Sequence, residues 1–198
     1  EPSSEMVNVL TRALEWEEST SGVFNPLILA GLEAAGYDRS IERVDGFEPR
    51  RLARNSAAQS LTDHLQIGPT LEEPAVQHSG SSGLDLGGIV KGWAVDRASE
   101  LLSRHSAYLV DAGGDIRTRS TGGHPGWYAS IEDPLSPDHD REIVNVSNRA
   151  IATSGVYRRR WSDDVSEYHH LIDPRTGCPS TSDIIAASVI ALSTESAE

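Results

Sequence analysis

Cysteine is almost absent from this chain: Cys178 is the single one in 198 residues. An intrachain disulfide is excluded, and so are zinc sites built from several thiolates. No run approaches the roughly 20 consecutive apolar residues that a membrane span needs, and no signal-peptide pattern is visible. Positive charge is also short, with 17 Lys+Arg against 30 Asp+Glu and a net charge of −13. That deficit disfavours nonspecific nucleic-acid binding, which needs a basic surface, and docking on an anionic membrane. A negative surface repels free nucleotides, so any phosphate site must be locally basic or carry a metal ion. Lys91, Arg97 and Arg175 can supply local charge.

What the chain does have is a helical first half and a strand-rich second half. Ser3 to Glu18 reads as a helix capped by Ser3 or Ser4, with Met6, Val9, Leu10, Ala13 and Leu14 on one face. Thr20-Ser21-Gly22 breaks it, and Pro26 to Ala35 reads as a second helix stopped by Gly36. A helix is expected within Ser56 to Leu65, and a strand and turn within Val76 to Leu84, flexible over Ser79 to Gly83. Trp93 to Arg104 is the clearest helix, with a stripe of Trp93, Val95, Ala98, Leu101 and Leu102, and with Asp96, Arg97 and Glu100 on the wet side. Short strands follow at Tyr108–Asp111, Trp127–Ile131, Ile143–Val146, Ala150–Thr153, Glu167–Ile172 and Ile184–Ala191. Turns are expected at 121–125 and 133–138. Helices first and strands later favour an α+β domain over alternating α/β.

Four unusual runs punctuate this pattern. Asp85-Leu86-Gly87-Gly88-Ile89-Val90-Lys91-Gly92 places an acid, glycines and a lysine where a helix begins. Glycines admit a close ligand, and the first helical amides bind anions. Asp111-Ala112-Gly113-Gly114-Asp115, Ala152-Thr153-Ser154-Gly155 and His170-Leu171-Ile172-Asp173-Pro174-Arg175-Thr176-Gly177 each end a strand in a polar turn. Read alone, each has a structural alternative: a cap, a hairpin turn, a strand end, or a turn fixed by an Asp173–Arg175 pair.

In this order the runs resemble the FAD:protein FMN transferase family, also called ApbE, whose pattern includes DLGGIAKG-, NAGGD-, ATSG- and HIIDPRTG-type runs. Gly22-Val23-Phe24-Asn25-Pro26 echoes its GxFDPT-type run. The resemblance covers nearly all of the chain. It implies one α+β domain over residues 1–198, related to the T-fold, with a mostly antiparallel sheet and packed helices. It also implies further sequence at both ends, a flavin-contacting stretch upstream among it, and a family often exported or membrane-anchored.

The activity it implies is magnesium-dependent transfer of FMN from FAD to a Thr or Ser hydroxyl of an acceptor protein, typically a redox protein, with release of AMP. Val23, Phe24, Asn25, Asp85, Lys91 and Ile172 would contact FAD. The Gly88 carbonyl and Glu198 would hold Mg²⁺. His170 would be the base, since the family histidine directly precedes the IIDP run. Asp115 would order its loop, and a homodimer is compatible with the resemblance. The remaining histidines, His64, His78, His105, His124 and His139, show no metal-ligand spacing and read as surface groups. The four tryptophans read as packing groups.

Two positions depart from the pattern. Asn25 replaces an aspartate, and an amide carries no charge. Glu198 stands at the aspartate of an ADALAT-type signature, one methylene longer. These departures keep two alternatives open: a silent flavin-binding protein, and an FAD pyrophosphatase in which water replaces the hydroxyl.

Overall fold

The computed structural model describes residues 2–38, 59–68, 75–80, 83–162 and 166–198. The expected helix over 56–58 and the flexible Ser81-Ser82 lie outside them. Two compact units emerge, Glu1–Leu86 with Arg158–Ser182 and Gly87–Tyr157 with Asp183–Glu198. Both combine helices with antiparallel strands, so the α+β class holds. No helix among the described residues is long and apolar enough to cross a membrane.

In the first unit, α1 spans Ser4–Ser19, and the Ser3 hydroxyl accepts from Met6 N, as expected. Val9, Leu10 and Ala13 are buried as expected, but Val7 and Glu17 take the places of Met6 and Leu14 on the buried face; Met6 is 46% exposed. Glu17 explains the rotation. Its carboxylate turns inward and accepts from Leu61 N at 2.6 Å and from the Ser60 and Thr62 hydroxyls at 3.3 and 3.2 Å. A polarity pattern cannot anticipate an inward acid. Glu17 thereby caps α3 (Leu61–His64), a single turn that leads into β1 (Leu65–Ile67), which pairs with β2 (Val76–His78).

The predicted second helix is a 3₁₀ turn, Pro26–Ile28, followed by α2, Leu29–Ala35, which ends at Gly36. Leu32 and Ala35 of α2 form a core with Ile172, flanked by Tyr37 and Trp161.

In the second unit the helix α4 runs Val90–Leu101, three residues earlier than expected. Its buried face is Gly92, Val95 and Ser99, while Leu101 is 80% exposed. The small Gly and Ser, invisible to an apolar-stripe argument, mark the packed side. Four antiparallel strands form the sheet in the order β12-β7-β4-β3: β3 Ala107–Ala112, β4 Asp115–Ser120, β7 Ala150–Gly155 and β12 Ala186–Ala191. Strand β4 was not anticipated, because Asp115-Ile116-Arg117-Thr118-Arg119-Ser120 is polar but for Ile116. A ribbon of β5 (Tyr128–Asp133) and β6 (Ser136–Asn145) is longer than expected and leaves only residues 134–135 as its turn.

Strand β7 shows how the layers form. Ile151 points to one face, packing with Ala129 and Val146 from the ribbon side. Ala150 and Ala152 point to the other and meet Ala197 of α5, Thr194–Ala197. The strand expected over Ile184–Ala191 is β12, and the chain beyond it turns into α5. The other short ladders, β8 (Arg160–Ser162) with β9 (Glu167–His169) and β10 (Ile172–Asp173) with β11 (Cys178–Pro179), belong to the first unit.

Ser99 is buried with its hydroxyl unbonded. Replacing it with Ala removes an unsatisfied polar group, so Ser99→Ala should raise unfolding free energy by about 1 kcal/mol in a urea titration.

Candidate functional site

The N-terminus of α4 organises the second unit's polar cluster. Ile89 stands at the cap position and offers no side-chain bond to the first turn. Glu198 takes that role from the far end of the chain. Its Oε2 accepts from Gly92 N at 2.7 Å, so this amide does not close a turn on the Gly88 carbonyl. Its Oε1 lies 3.5 Å from Lys91 Nζ. Carboxylates are favoured at helix N-termini, where partial positive charge collects. The approach is tight: a Cβ on Gly92 would meet Glu198 Oε2 at 2.8 Å and Glu195 Cα at 2.9 Å, so only glycine fits.

Lys91 also donates to Asp115 Oδ2. Asp115 does not order its own loop, as was expected; Asp111 does, accepting from Gly114 N at 2.8 Å. Asp115 and Glu198 side chains are 3% and 5% exposed, against 42% for Lys91. One partly exposed amine therefore serves two buried carboxylates. Burial pushes the Glu198 carboxyl above its ordinary value, opposed by the Gly92 amide and Lys91 and reinforced by the Asp115 charge. The Gly113-Gly114 turn between β3 and β4 has φ of 70° and 97°, which suits glycine, and nothing lies within 4 Å of a Cβ at either position.

This donor set suits a hard cation. It offers anionic oxygens whose charge one amine compensates incompletely. Among the described residues no group of three or more His, Cys, Asp and Glu could hold a metal ion. Mg²⁺ takes one or two carboxylates and completes its shell with water and phosphate oxygens, so the Asp115 and Glu198 carboxylates would suffice for it in number.

The first unit holds the other predicted residues. Asn25 is buried; its Oδ1 accepts from Leu27 N at 2.9 Å and its Nδ2 donates to Gln59 O at 2.8 Å. An aspartate could make the first bond but not the second, which gives the departure from the family pattern a local reason. Asp85 joins this region, its N–H donating to Pro26 O at 2.8 Å, and it does not cap α4. Val23 is exposed and Phe24 half-buried. Ile172 spends its side chain in the core.

His170 is half-buried just beyond β9. Its neighbour His169 is locked by structure: Nε2 faces Ser180 O at 2.9 Å, and Nδ1 accepts from Leu171 N at 3.2 Å. Those partners require a neutral Nε2–H tautomer, which leaves His169 no spare nitrogen. The Asp173–Arg175 pair forms as expected. Arg175 grips the carboxylate through Nε and a terminal nitrogen at 2.9 and 2.7 Å, and its own N–H bonds Oδ1.

The tryptophans behave as packing groups where their bonds are seen: Trp161 donates to Ala35 O and Trp127 to Arg119 O, each at 2.7 Å. His124 is not a free surface group, for it stacks on Trp127 at 4.5 Å.

An α+β chain with a buried carboxylate–lysine cluster at a glycine-rich helix start is thus defined. The ApbE family model matches residues 1–198, and the chain belongs to the ApbE family. It is similar to the FAD:protein FMN transferase of Treponema pallidum, 32% identical over 92% of this chain and 54% of that protein. Klebsiella pneumoniae has another, 27% identical over 96% of this chain and 55% of that protein. Among solved structures, the ApbE protein of Thermotoga maritima matches with a TM-score of 0.83 at 27% identity, covering 100% of this chain and 63% of that one. The flavinyl transferase ApbE of Pseudomonas stutzeri, in its apo form, matches at 0.71 and 25% identity, covering 96% and 58%. The chain spans about half the length of the curated relatives it matches.

The Arg175 guanidinium holds the Asp173 carboxyl below its ordinary 3.8, chiefly by hydrogen bonding. A depressed folded value stabilises above the unfolded pKa and is lost as pH falls through the folded one. The stability gap between wild type and Arg175→Ala should therefore be constant at neutral pH and shrink below pH 3.8, as read from denaturation midpoints.

Proposed function

We propose that this protein transfers FMN from FAD to a hydroxyl of an acceptor protein. The observation that carries the reading is the Lys91–Glu198–Asp115 cluster, which joins three stretches that resemble the family's signature runs. The curated relatives are named for that activity.

In this reading the Lys91 ammonium faces the pyrophosphate of FAD and orients it at the helix start. Glu198 and the Gly88 carbonyl would hold Mg²⁺, with Asp115 anchoring Lys91. Bound there, the metal would offset charge on the phosphate oxygens. Asp85, Val23 and Phe24 contact the dinucleotide, and Asn25 and Ile172 shape the backbone beside it. His170 removes the proton from a Thr or Ser hydroxyl of the acceptor, a redox protein. That oxygen attacks the flavin-side phosphorus. The phosphorus–oxygen bond to AMP breaks, AMP leaves with the electron pair, and FMN remains esterified to the acceptor. A second reading, hydrolysis of FAD to FMN and AMP, uses the same groups with water as nucleophile. The internally satisfied Asn25 amide, uncharged where the family pattern has an acid, is the feature that favours a weakened transferase.

The full-length chain, FAD, Mg²⁺ and a candidate acceptor separate these readings. Flavin fluorescence on the denatured acceptor supports transfer. AMP without labelled acceptor replaces it with hydrolysis, and tight FAD binding without either product leaves a carrier. Lys91→Ala should weaken FAD binding by about tenfold or more, because a charged contact to phosphate is lost, as read by fluorescence titration. His170→Ala should slow transfer by about 10²-fold or more while leaving FAD affinity near wild type; an unchanged single-turnover rate rejects it as the base.

A further inference from the structure

We infer that Asp96 is the positioning residue that delivers Glu198 to the start of α4. The inference rests on the proposed use of Glu198 as a metal ligand. Asp96 lies on α4, where its place in the sequence suggests only a wet face. Instead, Oδ1 accepts from Thr194 N at 2.9 Å and Thr194 Oγ1 at 3.0 Å, and Oδ2 accepts from Glu195 N at 2.9 Å. Thr194 is fully buried. Arg117 of β4 completes the bracket: its Nε is 4.0 Å from Asp96 Oδ1, and a terminal nitrogen donates to Leu192 O.

The consequence is geometric. Helix α5 has one turn and cannot hold itself by cooperativity. Ser193 Oγ accepts Ser196 N at 3.2 Å, and Asp96 takes the two amides before it. One carboxylate on α4 therefore anchors the front of α5, while Glu198, just past its end, returns to Gly92 on the same helix. The two attachments make a closed clamp between α4 and α5. Loosening the front frees the back, and the Glu198 carboxylate moves away from Lys91 and the Gly88 carbonyl. Asparagine cannot substitute, because its amide nitrogen would face the Glu195 N–H or the two Thr194 donors.

Two readouts besides activity test this in the full-length chain. The first is hydrogen exchange at the Gly92 amide, followed by NMR. The second is the magnesium chloride midpoint for raising the melting temperature of FAD-loaded protein. Asp96→Asn should speed Gly92 exchange and raise the magnesium midpoint by about tenfold, the cost typical of losing support behind a metal ligand. Thr194→Val should shift both by less, and Thr194→Ser should restore wild-type values. A folded Asp96→Asn protein with wild-type Gly92 protection and midpoint overturns the inference. If Asp96→Asn does not fold, unchanged values in Thr194→Val overturn it equally. If the wild type shows neither magnesium response nor transfer, the proposed function fails, and Gly92 exchange alone still decides the role of Asp96.

Discussion

Two buried carboxylates sharing one amine set the terms for the second unit. Asp115 and Glu198 are nearly removed from water, and Lys91 is the cation that faces both. Leaving either acid without a partner is costly in a medium that solvates charge poorly. The pair therefore dictates where β4 and the chain beyond α5 stand relative to α4. The Glu198 carboxyl is raised chiefly by its burial, and the nearby Asp115 charge adds to the shift. A site where two buried acids meet one amine at a helix start is suited to a cation.

The same device recurs at three helix starts. Glu17 of α1 accepts the Leu61 amide, Glu198 accepts Gly92, and Asp96 accepts Thr194 and Glu195. In each case the acid is remote in sequence from the turn it serves. Two of these helices are only four residues long. So short a helix is not stable by local bonds alone, and a carboxylate from another element satisfies the amides that it leaves open. Capping here is a tertiary interaction, and it ties neighbouring elements together while completing each one.

Small residues make those connections possible. Gly92 lets α5 and Glu198 approach α4, and Ala150, Ala152 and Ala197 let α5 lie close on β7. On the opposite face of the same strand, Ile151 is matched to larger side chains of the ribbon. In the first unit, Gly31 on α2 is close to the His170–Gly177 turn: a Cβ there would meet Gly177 O at 2.7 Å. That packing, with the Asp173–Arg175 grip, fixes the turn that follows His170. The motif runs thus mix residues for binding with residues that let the backbone come near.

Sequence order alone determined the α+β class, the cap of α1, the stop of α2, most strands, and the runs that carry the candidate site. These features rest on local chemistry: side-chain period, a serine before a helix, a glycine after one, an acid before a proline turn. The packed face of α4, strand β4 and the inward turn of Glu17 escaped it, because glycine, serine and charged residues bury for reasons that hydropathy does not record. The partnership of Lys91 with Asp115 and Glu198 and the clamp made by Asp96 escaped it too. The bond from Glu198 back to Gly92 beside them joins residues 106 positions apart. Only the folded sheet and its helices bring them within a hydrogen bond's length, since distance through space is set by packing and not by the order of residues along the chain.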